Sequence, residues 1–238
     1  MATKKEVPTP KGAWSFDKDV TGKFNDHVRQ SVPGYDIFHS LAVGIASFFI
    51  QNDTNVYDLG TSTGEGLRNL LARFKGVRSN VDYIGVDNSK PMCDAAQECV
   101  KSDGVSILNT DITWDAFTMH NASLVTSFLT LQFLPIHKRQ AVVQKIYDGL
   151  NVGGGFILVE KVVGESAQTD EIFVDLYHDF KLDQGLTKEH IFDKSRSIRG
   201  VMRPITLSDN VKMLKQAGFR HVDVFFKHLN FVGVVGVK

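Results

Sequence analysis

From Asn55 onward, short apolar runs of strand character alternate with stretches at helical spacing, and this alternation constrains the fold more than any other feature. Strands are expected at Val56–Leu59, Val81–Val86, Val105–Leu108, Ala122–Phe128 and Phe156–Lys161. Helices are expected at Gly64–Phe74, from the cap Ser89 to Ser102, and at His137–Leu150. Strands that take turns with helices pair in parallel, because each helix supplies the long crossover that a parallel ladder needs. The glycines of NVGGG (151–155) read as the cap that ends the helix before the fifth strand. The alternation stops at Ser166–Arg203, two helical patterns too long for an ordinary connection, expected to form a cap over the C-terminal edge of the sheet. A helix at Ser208–Ala217 is closed by Gly218, and Arg220–Lys227 with Phe231–Val237 form a hairpin, which only an antiparallel ladder permits. Upstream, Phe16–Arg29 and Ile37–Gln51 read as helices separated by the break SVPGY. The expected organisation is a flexible tail over 1–15 and a single domain over 16–238, carrying the cap at 166–203.

In a doubly wound sheet the ligand sits beyond the strand C-termini, where the first strand meets its helix. There the chain reads NVYDLGTSTGEG (55–66). Gly60, Gly64 and Gly66 let the backbone turn and come close to a ligand. Their spacing, G-x-x-x-G-x-G, departs from the G-x-G-x-x-G that cradles a pyrophosphate. Asp58, two residues before the first glycine, suits a cationic ligand. Asp87 closes the second strand, where a carboxylate accepts hydrogen bonds from ribose hydroxyls, and otherwise caps a turn with Asn88 and Ser89. Asp111 and Ile112 follow the third strand, placed either to hold a base by its exocyclic amine and ring face or to form an Asx turn before Trp114.

Lys+Arg and Asp+Glu both number 27, so the chain carries no net charge that would favour direct nucleic-acid binding, and a small-molecule substrate is expected. No run of residues is long and apolar enough for a membrane span, and the first residues lack the apolar core of a signal peptide. The two cysteines, Cys93 and Cys99, fall on poorly aligned positions of one helix and read as reduced thiols, which points to the cytoplasm. The eight histidines show no ligand spacing, so no metal is expected. Tyr177-His178-Asp179 reads as cap packing or an interface, since neighbours on a helix diverge. His137-Lys138-Arg139 reads as the solvated start of a helix.

Five parallel strands ended by a hairpin, with D-L-G-T-S-T-G at the first turn, resemble the class I methyltransferase fold that binds S-adenosylmethionine (SAM): Rossmann-like, with a mostly parallel seven-stranded sheet, an antiparallel C-terminal hairpin, and helical N-terminal and cap segments. Longer strings are more specific. FDKDV (16–20), QSVPGY (30–35), VDNS (86–89), LTLQFL (129–134), KIYDGLN (145–151), YHDFK (177–181) and Asn230-Phe231 resemble the carboxy-S-adenosyl-L-methionine synthase family, in order, from Phe16 to Lys238. The resemblance implies a transferase that converts SAM and prephenate to carboxy-SAM and phenylpyruvate, for wobble-uridine modification in tRNA. An ordinary methyltransferase acting on a small molecule or RNA is the alternative. It further implies a homodimer and a site in which Tyr35, Gly60, Thr61, Ser62, Asp87, Asn88, Asp111 and Ile112 contact SAM or carboxy-SAM. Phe128 stands at the cofactor-contacting position where the family has asparagine. Tyr35 and Arg196 carry the expected catalytic roles, Arg196 as the cation for the new carboxylate. The stretch from Arg196 to Val201 is one residue shorter than in the family, so Arg199 and Arg203 are alternatives for that role.

Overall fold

The computed structural model describes residues 24–238. The expected tail over 1–15, the FDKDV string and the start of the first expected helix lie outside the described residues. Two helices lead in, α1 (Phe24–Ser31) and α2 (Tyr35–Ala46), separated at Gly34, whose φ of 71° and close approach to the Phe226 ring exclude a side chain. Then come β1 (Asn55–Leu59), α3 (Glu65–Phe74), β2 (Asp82–Asp87), α4 (Lys90–Cys99), β3 (Val105–Asn109) and β4 (Ala122–Phe128). A short 3₁₀ turn at Leu131–Phe133 leads to α5 (Ile136–Gly149) and β5 (Leu150–Lys161). The expected cap contains α6 (Ala167–Asp183) and α7 (Lys188–Ser197), and α8 (Leu207–Ala217), β6 (His221–His228) and β7 (Phe231–Val237) close the chain.

The seven strands form one sheet in the order β3-β2-β1-β4-β5-β7-β6. Strands β1 to β5 pair in parallel, and β7 lies antiparallel to both β5 and β6. Side chains alternate across a strand, and the two faces bury different sets. Tyr57, Leu59 and Val125 pack with Val142, Val143 and Ile146 of α5 and Met213 and Leu214 of α8. Val56, Leu124 and Ile157 pack with Ala42 and Ala46 of α2 and Leu67, Leu70 and Leu71 of α3. Each fully buried aliphatic side chain in these layers contributes roughly 2 kcal/mol. The sheet is thus held from both faces, and its strand C-termini stand free to build a site.

Three local expectations are corrected. The second helix ends at Ala46, because Ser47 to Ile50 turn back on it through bonds to Gly44, Ile45 and Ala46 carbonyls. The glycines of 153–155 belong to β5 and do not cap a helix. Gly153 N–H donates to the Lys238 carbonyl at 3.0 Å, and a Cβ on Gly155 would stand 2.6 Å from the Phe49 ring, so these glycines let the strand run beneath a packed aromatic. Arg139 is not solvated: it is 2% exposed and donates to the carbonyls of Gln132, Leu134 and Arg203, tying the loop after β4 to the end of the cap.

Candidate active site

The C-terminal ends of β1, β2, β4 and β5, the start of α3, helix α1 and both cap helices surround a cavity of about 500 Å³. That is within the range of small-molecule sites. Its first wall is the glycine turn. Gly60 has φ 74°, and a Cβ there would fall 2.1 Å from Thr130 Oγ1, so the position admits only glycine. Ser62 holds φ 50°, a conformation that costs a non-glycine residue, and its N–H donates to Asp87 Oδ2 at 2.9 Å. The Ser89 N–H donates to Asp87 Oδ1, also at 2.9 Å. Two backbone donors thus aim the Asp87 carboxylate along the rim. Burial raises its pKa, and these same bonds oppose the rise.

Asp58 lies under the turn, 2% exposed, accepting a bond from Thr126 Oγ1 at 2.7 Å. Burial pushes its pKa up to about 6, with the Thr126 bond working against it. A buried carboxylate without a cation beside it is costly unless a ligand brings the charge. Gly66 keeps this space open, since a Cβ there would sit 3.1 Å from Asp58 Oδ2 and 3.3 Å from the Phe128 ring. Asp111 lines the same side and also accepts from Thr113 N–H at 2.7 Å, so the Asx turn and the cavity wall coexist in one residue. Ile112 is buried beside it.

Glu65, which the sequence reading passed over, joins α1 and α2 to the turn. It is buried, it pairs with Arg29 and with Arg68 (3.3 Å), and it accepts the Tyr35 hydroxyl bond at 3.2 Å. Burial, then the Glu65 charge, drives the Tyr35 pKa upward, so its phenol stays protonated as a donor. Thr63 Oγ1 donates to Asn25 Oδ1 at 2.8 Å and Tyr177 OH donates to the Ser31 carbonyl at 2.7 Å, pinning α1 over the cavity at both ends. Phe128 stands between α2 and α3, its ring 4.9 Å from His39 and 5.9 Å from Phe38. The loop after β4 is fixed by Glu160, which accepts the Thr130 and Leu131 N–H groups at 3.1 and 2.9 Å and whose pKa burial pushes up to about 8.

The opposite wall is basic. Lys161 at the end of β5, Lys181 of α6 and Lys194 of α7 line it, with His27, His178 and His190. Burial lowers the pKa of Lys161 and Lys181 to about 8 and that of Lys194 to about 6. His27 falls to about 3, through burial first and the nearby positive charge of Lys194 second.

The structure therefore brings Tyr35, Gly60, Thr61, Ser62, Asp87, Asn88, Asp111, Ile112 and Phe128 to one cavity. It does not bring Arg196, Arg199 or Arg203 there. All three are exposed and outside its lining, Arg196 lying 5.5 Å over the Phe192 ring and Arg203 Nε donating to the Gly200 carbonyl. Tyr177 and His178 line the cavity, Tyr177 also packing against Phe231, while Asp179 is exposed outside it. The i,i+4 spacing of Tyr177 and Lys181 in YHDFK was the available signal, since it places both on one helix face. Among the described residues no group of histidines, cysteines and acids is arranged to hold a metal. No described helix is long and apolar enough to cross a membrane.

This sheet order and strand-end site define a SAM-dependent transferase of the Rossmann-like class I methyltransferase fold, and comparison with known proteins agrees. A family model described as a methyltransferase domain matches residues 56–154. An O-methyltransferase family protein from Burkholderia thailandensis shares the fold, with a TM-score of 0.64 at 16% identity over 93% of this chain and 60% of that one. The carboxy-S-adenosyl-L-methionine synthase of Staphylococcus epidermidis is 47% identical over 94% of this chain and 97% of its own length. That of Mannheimia succiniciproducens is 37% identical over 95% and 94%. The chain belongs to the carboxy-S-adenosyl-L-methionine synthase family.

Proposed function

We propose that the protein joins SAM to carbon dioxide taken from prephenate, releasing carboxy-SAM and phenylpyruvate. The observation that carries this reading is the division of one cavity into an acidic wall and a basic wall. The acidic wall suits a ligand with an ammonium and a sulfonium: Asp58 for the ammonium, Asp87 and Asn88 for the ribose hydroxyls, Asp111 and Ile112 for adenine. The basic wall suits an anionic donor.

The chemistry balances without an added oxidant. Prephenate loses carbon dioxide and hydroxide as its ring becomes aromatic. The hydroxide takes a proton from the SAM methyl group, acidified by its sulfonium, and forms water. The resulting ylide carbon bonds to the carbon of carbon dioxide. No strong side-chain base is required, but water and solvent protons must be excluded. The bonds of Asn25, Arg29 and Ser31 that hold α1 over the cavity support that exclusion. The Tyr35 hydroxyl, kept protonated, serves as a positioning donor.

In the homodimer that the resemblance implies, the cap helices meet a second copy, in keeping with exposed Ile172, Leu176 and Phe192. Arg196, with Arg199 and Arg203 as alternatives, then reaches the product carboxylate from the neighbouring copy. The two free cysteines suit a cytoplasmic protein, and the product serves the modification of wobble uridine in tRNA. Mass spectrometry of SAM incubated with prephenate and protein tests the reaction. A gain of one carbon dioxide on SAM, matched by phenylpyruvate, is expected, and unchanged SAM would reject it.

A further inference from the structure

The basic wall has an internal order. Lys161 Nζ lies 4.4 Å, and Lys181 Nζ 4.1 Å, from the centroid of the Tyr177 ring. That ring cannot swing away, because its hydroxyl is bonded to the Ser31 carbonyl and Phe231 packs against it at 5.4 Å. Tyr177 therefore holds two ammonium groups against one ring at the cavity wall, and Lys194 of the next helix lines the same cavity.

Among the described residues, no carboxylate stands within ion-pairing distance of Lys161 or Lys181. Among the described residues the acid whose charge acts on Lys161 is Asp170, and its Oδ1 is occupied by the Gly164 N–H at 2.8 Å. Lys161 in turn depresses Lys181, and both depress His178. Buried positive charge of this density is expensive, and folding tolerates it where a bound anion supplies the counter-charge. Two cations fit two carboxylates better than one, and apolar Val174, Leu186, Ile191 and Met202 in the same cavity lining suit a carbon skeleton between them. The acidic wall cannot share this role, because β4 separates β5 from β1 and β2 in the sheet.

We propose that Lys161 and Lys181, ordered around Tyr177, form the subsite for a dicarboxylate co-substrate, each carboxylate seated on one ammonium group. The identity of that dicarboxylate as the carbon dioxide donor rests on the function proposed above. The subsite itself does not.

The test is calorimetric titration of prephenate, malonate and inorganic phosphate into protein saturated with S-adenosylhomocysteine, for the native chain, Lys161→Met, Lys181→Met and Lys181→Arg. Prephenate affinity should fall roughly ten- to a hundredfold in each Met variant, the loss of one charge-assisted hydrogen bond. Lys181→Arg should recover part of it, and S-adenosylhomocysteine affinity should stay within about twofold throughout. Unchanged prephenate affinity in both Met variants, or equal weakening of the adenosyl ligand, would overturn the subsite. So would tighter binding of phosphate than of either dicarboxylate, or no dicarboxylate binding by the native chain. If the lysine-dependent binding is found but SAM gains no carbon dioxide, the subsite stands and the proposed reaction fails. If SAM is carboxylated while both Met variants keep the native KM for prephenate, the reaction stands and the subsite fails.

Discussion

The acidic and basic walls of the cavity differ in charge and also in how the chain builds them. Asp58, Asp87 and Asp111 lie at or near the ends of three neighbouring strands. Asp58 and Asp87 are each placed by a short local pattern, an acid, then a turn, then a helix start, and Asp111 by the Asx turn that follows its strand. Lys161, Lys181 and Lys194 come from a strand end and two cap helices, and only the spacing of Lys181 from Tyr177 hints at a shared face. The difference teaches that the acidic wall is fixed by sheet geometry, while most of the basic wall is written in the cap. Related folds can therefore keep the first and change the second.

The largest effect that tests the acidic wall is Gly60→Val. A Cβ 2.1 Å from Thr130 Oγ1, at a φ of 74°, forces the turn to move. A cost of about 3 kcal/mol or more and loss of measurable SAM binding are expected, read by thermal melting and calorimetry. Asp87→Ala should come next. It leaves the Ser62 and Ser89 N–H groups without their acceptor and removes the proposed ribose partner, so SAM affinity should fall about a hundredfold with a smaller change in melting temperature.

The comparison becomes sharpest in pH. Asp58, raised to about 6, must be ionised to receive an ammonium, so SAM affinity should hold above that value and drop up to tenfold per unit below it. Lys161 and Lys181, lowered to about 8, must be protonated to receive a carboxylate. Dicarboxylate affinity should therefore hold below about 8 and fall as pH rises beyond it. The same lysines, 10.5 in the unfolded chain, bind fewer protons when folded between pH 8 and 10.5. In ligand-free protein their contribution to stability should thus rise with pH across that window, a sign that urea melts at pH 8 and 10 would reveal. Slopes of the same direction for both ligands would break the comparison.

The smallest effect concerns Ser62. Glycine relieves the left-handed conformation but gains freedom in the unfolded chain, so Ser62→Gly should shift stability by less than about 1 kcal/mol and leave SAM affinity nearly unchanged.

Much of the fold was legible because alternation of apolar runs has a direct physical meaning: β4 and β7 occur at the expected residues, and the hairpin and the two-helix cap occur where expected. The glycines at 153–155 misled because a glycine that admits a distant aromatic, Phe49, looks the same in sequence as one that ends a helix. Arg139 misled because its carbonyl partners lie in a loop and at the cap's far end. Glu65, Lys161 and Lys194 were invisible for the same reason. Their meaning depends on which charges meet across the fold, and a sequence reports charge without its neighbours.

The two walls should serve two ligands at once. Prephenate titrated into protein already saturated with S-adenosylhomocysteine should bind at a stoichiometry near one, with the adenosyl ligand retained on the protein by mass. Displacement of S-adenosylhomocysteine by prephenate, in proportion to the amount added, would contradict it.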